Sequence, residues 1–411
     1  MNLLRQISRI IIGLVFIFSG VVKAVDPLGS AYKFHDYFLA FNMGWLDWLS
    51  LPLGILLCTS EFIAGFSLIS GLRQKAGIWV VLLLMLLFTP LTLILALTNP
   101  VSDCGCFGDA IKLTNWQTFW KNVILIILTI IVFAGRKHII AIFKATTEWI
   151  ITGFVAIIFI FFCLGNLRYL PVIDFLPYKT GVTIADQMII PEGAEPDKYQ
   201  TTFIYRKNGE QKEFSLDNYP AGDTGWVFVD QKTVLLKKGY RPLVHDFAIT
   251  GTGGADLTSQ ILADKGYSLL MISKKLNDAD TDRLSAGFDL GKHLAEIGIS
   301  FYVLTATSSE ELQKYANELN FCTVDETTLK TMVRANPGYM LLKDGVIKGK
   351  WSWASLPEKE WFNNISDLNK DQKSYTGNRN FTVISIVTSL LLILIILGTI
   401  LKDTYSEKTN K

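Results

Sequence analysis

The sequence predicts a membrane α-helical bundle of about six transmembrane helices joined to an α/β extracytoplasmic domain. Half of the residues are hydrophobic and only 18% are charged, which is too apolar for an ordinary soluble protein of this length. The apolar residues are concentrated in runs of about 20, the length that crosses the hydrocarbon core of a bilayer. Residues 168–379, in contrast, have the composition of a soluble protein.

Apolar runs predict transmembrane helices at residues 8–25, 49–70, 77–98, 116–135, 147–166 and 380–401. The last run contains no charged residue. At the first run, Arg5 and Arg9 precede the apolar stretch, as in a secretory signal, but the run is long for a signal and lacks a convincing small-residue cleavage motif before Asp26. We therefore expect this run to be retained as a helix.

Basic residues in the short loops predict the orientation of the bundle, because such loops usually face the cytoplasm. With six spans, the basic loops all fall on one side; they contain Arg5, Arg9, Arg73, Lys75, Arg136, Lys137, Lys144 and Lys402. The sequence thus predicts a bacterial inner-membrane protein with both termini in the cytoplasm. The loop around Cys104 and the soluble region are predicted to face the periplasm.

The soluble region is predicted to have two parts. Residues 168–239 form a β-rich connector, in which β-forming residues flank the turn signal Asn208-Gly209. Residues 240–375 alternate short buried strands with amphipathic helices in the order β-α-β-α-β-β. The final two strands turn at Asp344-Gly345, which predicts an antiparallel pair.

This order resembles the thioredoxin fold, and "RANPGYMLLKDG" is similar to its cis-proline loop, with Pro337 as the cis-proline. Redox-active thioredoxins carry Cys-x-x-Cys after the first central strand, whereas this sequence has "SKKLNDAD" at that place. Cys322, the only cysteine of the domain, is interpreted as a small buried hydrophobic residue. The resemblance therefore implies a binding or docking domain that lacks the catalytic dithiol.

The segment "VSDCGCFGDA" places Cys104 and Cys106 on the predicted outer side, where a disulfide can persist. Two cysteines separated by one glycine close only a small, strained ring, which favours exchange with other thiols. We predict that they are the catalytic residues, while a purely structural loop stays an alternative. Two sulfurs without a nearby histidine are too few for a closed zinc site, so no metal is predicted. Lys112 would lower a thiol pKa if it were close, whereas Asp103 and Asp109 would raise it.

Glu61 lies about half-way along the second span, where a carboxylate is costly and is usually paired or functional. Its expected partners are Lys23 at the end of the first span and the hydroxyl of Ser19. Cys58 precedes Glu61 by one helical turn, so a thiol and a carboxyl share a helix face. Two interpretations stay open: a pair that only holds the bundle together, and a site that handles protons or a quinone. Cys163, in the fifth span, is interpreted as filling the core.

Residues 8–135 resemble the DoxX-like membrane proteins and, more closely, the methylamine-utilisation MauE family. The resemblance depends on "RIIIGLVFIFSGVVKAVDP", on Glu61 and Gly65 in the second span, and on "CGCFG" before the fourth span. Together with the thioredoxin-like domain and the final helix, it is similar to a family of DoxX-containing proteins from Bacteroidetes-type bacteria. The resemblance implies a role in maturing a disulfide-rich periplasmic protein, without requiring methylamine.

These features predict five successive units: a DoxX/MauE-like domain of four transmembrane helices, a fifth transmembrane helix, the connector, the thioredoxin-like domain and a C-terminal transmembrane helix. Their predicted bounds are 1–145, 146–167, 168–239, 240–375 and 380–401.

Three functions are compatible with the sequence, and they leave open whether the protein is an enzyme. The first is thiol–disulfide handling for a periplasmic client protein. The second is a non-enzymatic assembly or anchoring factor whose thioredoxin-like domain docks on a client. The third is a membrane subunit that binds a quinone or a small solute. The lipid bilayer is a predicted partner, whereas the net charge of +2 gives no reason to expect nucleic acid.

Overall fold

The computed structural model describes residues 3–365, except 102, 139–141, 196–197, 208–209, 216–217, 219–224, 238, 241, 245–246 and 313–318. Within these residues, five helices have the length and the apolar composition needed to cross a membrane. The sixth predicted span, 380–401, lies outside the described residues.

The N-terminal region consists of helices α1 (Leu3–Val25), α2 (Pro27–Ala40), α3 (Ser50–Ser70), α4 (Gln74–Thr98), α5 (Asn115–Ala134) and α6 (Ala145–Tyr169). All except the short α2 are candidate spans. The largest difference from the predicted runs is at α1, which already begins at Leu3. Helical hydrogen bonding continues through Arg5 and Arg9 because a helix can extend beyond the apolar part of its sequence. At the other end of the bundle, Thr114 and Gln117 form a capping box that starts α5.

Helices α1 and α3 cross closely because glycine lies at their contact. A side chain at Gly65 would place its Cβ 2.6 Å from the carbonyl oxygen of Gly13 and 2.7 Å from the backbone nitrogen of Ile17. Small residues that let backbones approach are typical of helix contacts in membranes. This close crossing brings Glu61 of α3 to Lys23 of α1, whose ammonium lies 2.7 Å from the carboxylate.

A three-stranded antiparallel sheet contains β1 (Lys198–Lys207), β2 (Glu210–Ser215) and β3 (Val227–Lys237), in the order β2-β1-β3. Lys207 pairs with Glu210, the residues on either side of the predicted turn Asn208-Gly209, which itself lies outside the described residues. The beginning of the predicted connector differs from the expectation. Tyr178 and Ile184 are buried in the core of the following α/β domain, so the chain from α6 packs on that domain before it enters the sheet.

The second sheet contains β4 (Thr250–Gly251), β5 (Tyr267–Ile272), β6 (Ser300–Thr305), β7 (Asn320–Thr323), β8 (Gly338–Lys343) and β9 (Val346–Ser352). The shorter helices of the soluble region are α7 (Ile184–Met188), α8 (Thr258–Leu262), α9 (Thr281–Glu296), α10 (Ser309–Leu312), α11 (Glu326–Met332) and α12 (Lys359–Asn363). The sheet has hydrophobic cores on both faces, one including Leu329 and Met332 of α11 and the other Leu290 and Leu294 of α9.

The strand order β4-β7-β6-β5-β8-β9 defines a thioredoxin-like topology. Strands β5, β6 and β7 are parallel, whereas β8 and β9 are antiparallel to their neighbours. The Asn336–Pro337 peptide bond, immediately before β8, is cis. The predicted element order omitted β4, α8, β7, α11 and α12. These elements are short, and the two residues of β4 and the four of β7 are too few to show a periodicity.

Candidate functional site

Cys104 and Cys106 face each other in the loop between α4 and α5. Their Sγ atoms are 3.1 Å apart, and both residues are free thiols. Gly105 has a φ of +65°, a left-handed conformation that is unfavourable for residues with a Cβ atom, and this turn brings the two thiols together. The turn is closed by a hydrogen bond of 3.0 Å from the N–H of Gly108 to the carbonyl oxygen of Gly105.

Helices α1 and α2 hold the backbone of this loop on both sides of the turn. The hydroxyl of Tyr37 donates to the carbonyl oxygen of Cys104 over 2.6 Å. Ser19 lies 2.8 Å from the carbonyl oxygen of Cys106. Lys33 forms an ion pair of 2.9 Å with Asp103, whose carboxylate also accepts a hydrogen bond from the N–H of Gly105. The thiol pair is therefore held in place before any partner binds.

The two thiols differ in acidity. A hydrogen bond from the thiol of Cys104, followed by the positive charges of Lys121 and Lys23, lowers the pKa of Cys106 to about 6. The same hydrogen bond, together with burial, raises the pKa of Cys104. Cys106 is therefore the more acidic of the two thiols, and the thiolate is the form of cysteine that acts as a nucleophile.

The cation that acts on the thiol pair is not the one suggested by the sequence. Lys112 has a side chain that is 72% exposed, and its ammonium lies 3.7 Å from Asp109. Lys121, on α5, instead lies over the ring of Phe107, at 4.3 Å from its centroid, and next to the loop. It was missed because it is in the following helix, where a lysine close to the membrane boundary is ordinarily interpreted as an interfacial residue.

Glu61 and Lys23 form a buried ion pair that extends to the thiol loop. The ammonium of Lys23 donates to the two carboxylate oxygens over 2.7 and 2.8 Å, and to the hydroxyl of Ser19 over 2.9 Å. That hydroxyl lies 2.9 Å from Glu61 and 2.8 Å from the carbonyl oxygen of Cys106. A hydroxyl carries a single proton, so Ser19 donates to one of these acceptors at a time. The partners expected for Glu61 are thus in contact with it, while its chemical role stays a prediction.

Arg334 joins the α/β domain to the membrane region at this loop. Its guanidinium donates to Asp26 over 2.8 Å and to Asp109 over 2.7 Å, and it also contacts the carbonyl oxygen of Lys330. The Arg334 side chain is only 5% exposed. Asp26, which directly follows α1, also accepts the N–H of Gly29 at the start of α2. The sequence did not indicate this cluster, because Arg334 is 308 positions from Asp26 and 225 from Asp109.

The cis-proline side of the α/β domain faces α2. Lys274 lies 4.3 Å from the centroid of the Tyr32 ring, and Lys330 and Arg334 lie 5.2 and 5.3 Å from it. Lys274 belongs to "SKKLNDAD", the segment that replaces a dithiol. Because these basic residues contact α2, this side of the domain is covered by the membrane region.

The remaining cysteines are buried. Cys322 lies in the core of the α/β domain, where burial raises its pKa to about 11. Cys58, one turn before Glu61 in α3, has its Sγ atom 4.0 Å from that of Cys163 in α6. Cys163, which was interpreted as core filling, therefore has a thiol as its neighbour.

The membrane-spanning helices, the strand order and the cis-Pro337 together define a helical membrane protein that carries a thioredoxin-like domain. Residues 1–135 match the family model described as methylamine utilisation protein MauE. The N-terminal third of the chain is therefore similar to the MauE family, and a thioredoxin-like domain follows it in the same chain. Residues 199–238, which include most of the three-stranded sheet, match a domain of unknown function, DUF8463.

A search of curated proteins found no match to the chain. Among solved structures, the chain is similar to one described as a "putative protein disulfide isomerase" from Bacteroides thetaiotaomicron. The identity is 15%, the TM-score is 0.24, and the similarity covers 33% of this chain and 92% of the other. The thioredoxin-like assignment depends on the strand order and on the position of Pro337, rather than on this similarity.

Proposed function

We propose that the protein exchanges disulfides with a client protein through Cys104 and Cys106. The observation that carries this proposal is the distance of 3.1 Å between the two Sγ atoms, in a loop whose carbonyl groups are fixed by α1 and α2. The lowered pKa of Cys106 supports its role as the attacking sulfur. Cys104, which is more buried, then serves as the resolving sulfur.

Reduction of a client disulfide by this pair proceeds in two steps. The Cys106 thiolate attacks one sulfur of a client disulfide, a mixed disulfide forms, and the first client cysteine leaves as a thiolate. Cys104 then loses its proton and attacks the Sγ atom of Cys106, which releases the second client cysteine. Two electrons pass to the client, whose thiolates take up two protons, and a Cys104–Cys106 disulfide remains. The reverse sequence oxidises a client dithiol, so the direction depends on the relative reduction potentials.

The proposal places the protein in the bacterial inner membrane with six spans, both termini in the cytoplasm and the thiol loop in the periplasm. The basic residues of the loops support this orientation. A membrane-impermeant maleimide applied to intact cells, with the outer membrane permeabilised, tests it. We expect labelling of Cys106, and labelling only after rupture of the inner membrane would contradict the orientation.

The chemistry is tested by trapping a mixed disulfide in cells that produce the full-length chain. Cys104→Ser removes the resolving thiol, so we expect a covalent client adduct that disappears on reduction in gel electrophoresis. Cys106→Ser removes the attacking thiol and is expected to abolish the adduct. Cys322→Ser is the matched control and is expected to behave as the unchanged protein, because Cys322 is buried in another domain. Absence of any adduct with Cys104→Ser, with Cys104 and Cys106 permanently reduced in the unchanged protein, would contradict the proposal.

A second candidate function is a docking or assembly factor, in which the thiol pair only holds the loop together. The observation that favours it is that the described part of the α/β domain contains a single cysteine, Cys322, which is buried. Crosslinking and pull-down with a variant that carries both Cys104→Ser and Cys106→Ser distinguishes the two functions. Retention of the client and of its maturation would favour docking, whereas loss of maturation favours exchange. Binding of a quinone by the purified protein without oxidation of any cysteine would instead indicate the third function, a quinone-binding subunit.

A further inference from the structure

Four of the five cysteines form two opposed pairs, and the proposed exchange uses only one of these pairs. The other pair is Cys58 on α3 and Cys163 on α6, which are 105 positions apart in the sequence. Their Sγ atoms are 4.0 Å apart, and both residues are 0% exposed. A cysteine that only fills space between helices needs no second thiol opposite it, so the pairing calls for a chemical explanation.

The neighbouring layer of the same helix contact keeps the two thiols opposed. Phe62 lies one turn after Cys58, and Phe159 lies one turn before Cys163. Their rings are stacked, with centroids 4.0 Å apart and planes at 8°. This stack fixes the register of α3 against α6, so the two sulfur atoms stay opposed, and a disulfide bond requires them to approach from 4.0 Å to about 2.05 Å.

We propose that Cys58 and Cys163 are a second redox-active pair, which forms a disulfide between α3 and α6 when a membrane quinone oxidises it. The two thiols lose two electrons and two protons, and one sulfur–sulfur bond forms. The quinone takes up both electrons and both protons and leaves as a quinol. This activity is separate from the proposed exchange at Cys104 and Cys106.

The surroundings of the pair indicate the class of oxidant. The thiols belong to an apolar cluster within the bundle, which includes Phe62, Val155 and Phe159. A charged or strongly polar oxidant enters such surroundings only at a large desolvation cost, whereas a quinone dissolves in the bilayer. On its other faces α6 exposes Ile157 and Phe161, as expected for a helix in contact with lipid. Cys163 is six positions before the end of α6, or about 9 Å along the helix axis.

A disulfide at this position would connect the two regions of the molecule. Helix α3 carries Glu61, and α6 leads directly into the chain that packs on the α/β domain. Asn166, one turn after Cys163, already donates to the carbonyl oxygen of Ala24 on α1 over 3.1 Å. Oxidation of the pair would thus restrain α6 against α3, the helix that carries Glu61.

The experiment uses the full-length chain in lipid nanodiscs, with Cys104, Cys106 and Cys322 replaced by serine. Only Cys58 and Cys163 then remain, so the result does not depend on the proposed exchange. The protein is reduced, freed of reductant, and incubated with decylubiquinone or menadione. It is then denatured with a maleimide-polyethylene glycol that adds mass to each free thiol. Peptide mass spectrometry identifies any disulfide, and the absorbance of the quinone measures its reduction.

We expect two maleimide adducts before incubation, none afterwards, a peptide linking Cys58 to Cys163, and one quinol formed per protein. The same background with Cys163→Ser is the matched control and is expected to keep its single free thiol without reducing quinone. Two free thiols after incubation with either quinone would overturn the proposal. Oxidation by diamide without oxidation by quinone would also overturn it, because the pair would then not belong to a quinone reaction.

Discussion

Two loops of this molecule, residues 103–109 of the membrane region and residues 273–278 of the α/β domain, can be compared with the active-site loop of thioredoxins. In thioredoxins the thiol pair is part of the thioredoxin fold, whereas here the two closely spaced thiols and the thioredoxin-like fold are in different regions. The first contains two thiols at 3.1 Å but belongs to a helical bundle. The second follows β5, at the place of a thioredoxin dithiol, and contains no cysteine. The comparison shows that the fold of the α/β domain does not define its chemistry, which has to be argued from the residues of each site.

Cations lie close to both loops. Asp103 and Asp109 flank the thiols, and both carboxylates are paired with cations from outside the loop, Lys33 and Arg334. In the second loop, burial and then the like charges of Lys330 and Arg334 lower the pKa of Lys274 to about 8. At the contact between the two regions, the thioredoxin-like domain contributes the cation Arg334, and the membrane region contributes Asp26 and Asp109.

Of the substitutions that test this comparison, Arg334→Met is expected to change the stability of the protein most, because it removes the ion pairs that link the two regions. Asp26 would remain buried without its partner, and breaking a buried pair costs about 3–5 kcal/mol. We expect a lower melting temperature and faster hydrogen exchange in α2 and in residues 103–109, measured by mass spectrometry on the full chain. Arg283→Met is the control, because Arg283 stacks on Trp353 within its own domain. Unchanged exchange in α2 with Arg334→Met would mean that the two regions are held together elsewhere.

A smaller effect is expected from Lys121→Met, which tests why the thiols of the first loop are reactive. Loss of the nearby positive charge should raise the pKa of Cys106 from about 6 by roughly one pH unit. The alkylation rate of Cys106, measured with iodoacetamide from pH 4 to pH 9, should therefore reach its midpoint at a higher pH. Lys112→Met is the matched control, since its exposed ammonium pairs with Asp109 and is expected to leave the profile unchanged. A shift of the alkylation midpoint with Lys112→Met but not with Lys121→Met would show that Lys112, and not Lys121, is the cation that lowers the pKa of Cys106.

The smallest effect is expected from Lys274→Met in the second loop. The pKa of Lys274 is lower in the folded protein than its ordinary value of 10.5, so folding is opposed whenever the residue is charged in both states, below about pH 8. The stability of the unchanged protein should rise between about pH 8 and pH 10.5, where the unfolded chain alone keeps the proton. Lys274→Met should be about 1 kcal/mol more stable at pH 7 and lose this rise, after allowance for partial exposure.

Melting temperatures at pH 7 and pH 10 test this prediction. Lys275→Met is the control, because the side chain of Lys275, next to Lys274 in the sequence, is exposed and its replacement should change the melting temperature little. A decrease in stability at pH 7 with Lys274→Met would instead indicate that the contact of Lys274 with the Tyr32 ring is a net attraction.

Much of the fold was predictable because its signals are local. Apolar runs identified the five described spans, the hairpin signals marked the turns of both sheets, and the sequence before β8 indicated the cis-proline. Short elements were not predicted; the four residues of β7, for example, are too few to show a periodicity. The start of the connector was also misjudged, since the burial of Tyr178 depends on residues far along the chain.

The sequence by itself determined the membrane region, the closely spaced thiols and the absence of a Cys-x-x-Cys in the thioredoxin-like domain, because spacing and composition are properties of neighbouring residues. Only the tertiary structure decided which groups surround those thiols. Arg334 meets Asp26 across 308 positions and Asp109 across 225. Cys58 meets Cys163 across 105 positions. Such contacts arise from helix crossing and domain docking, which bring together side chains that no local pattern in the chain connects.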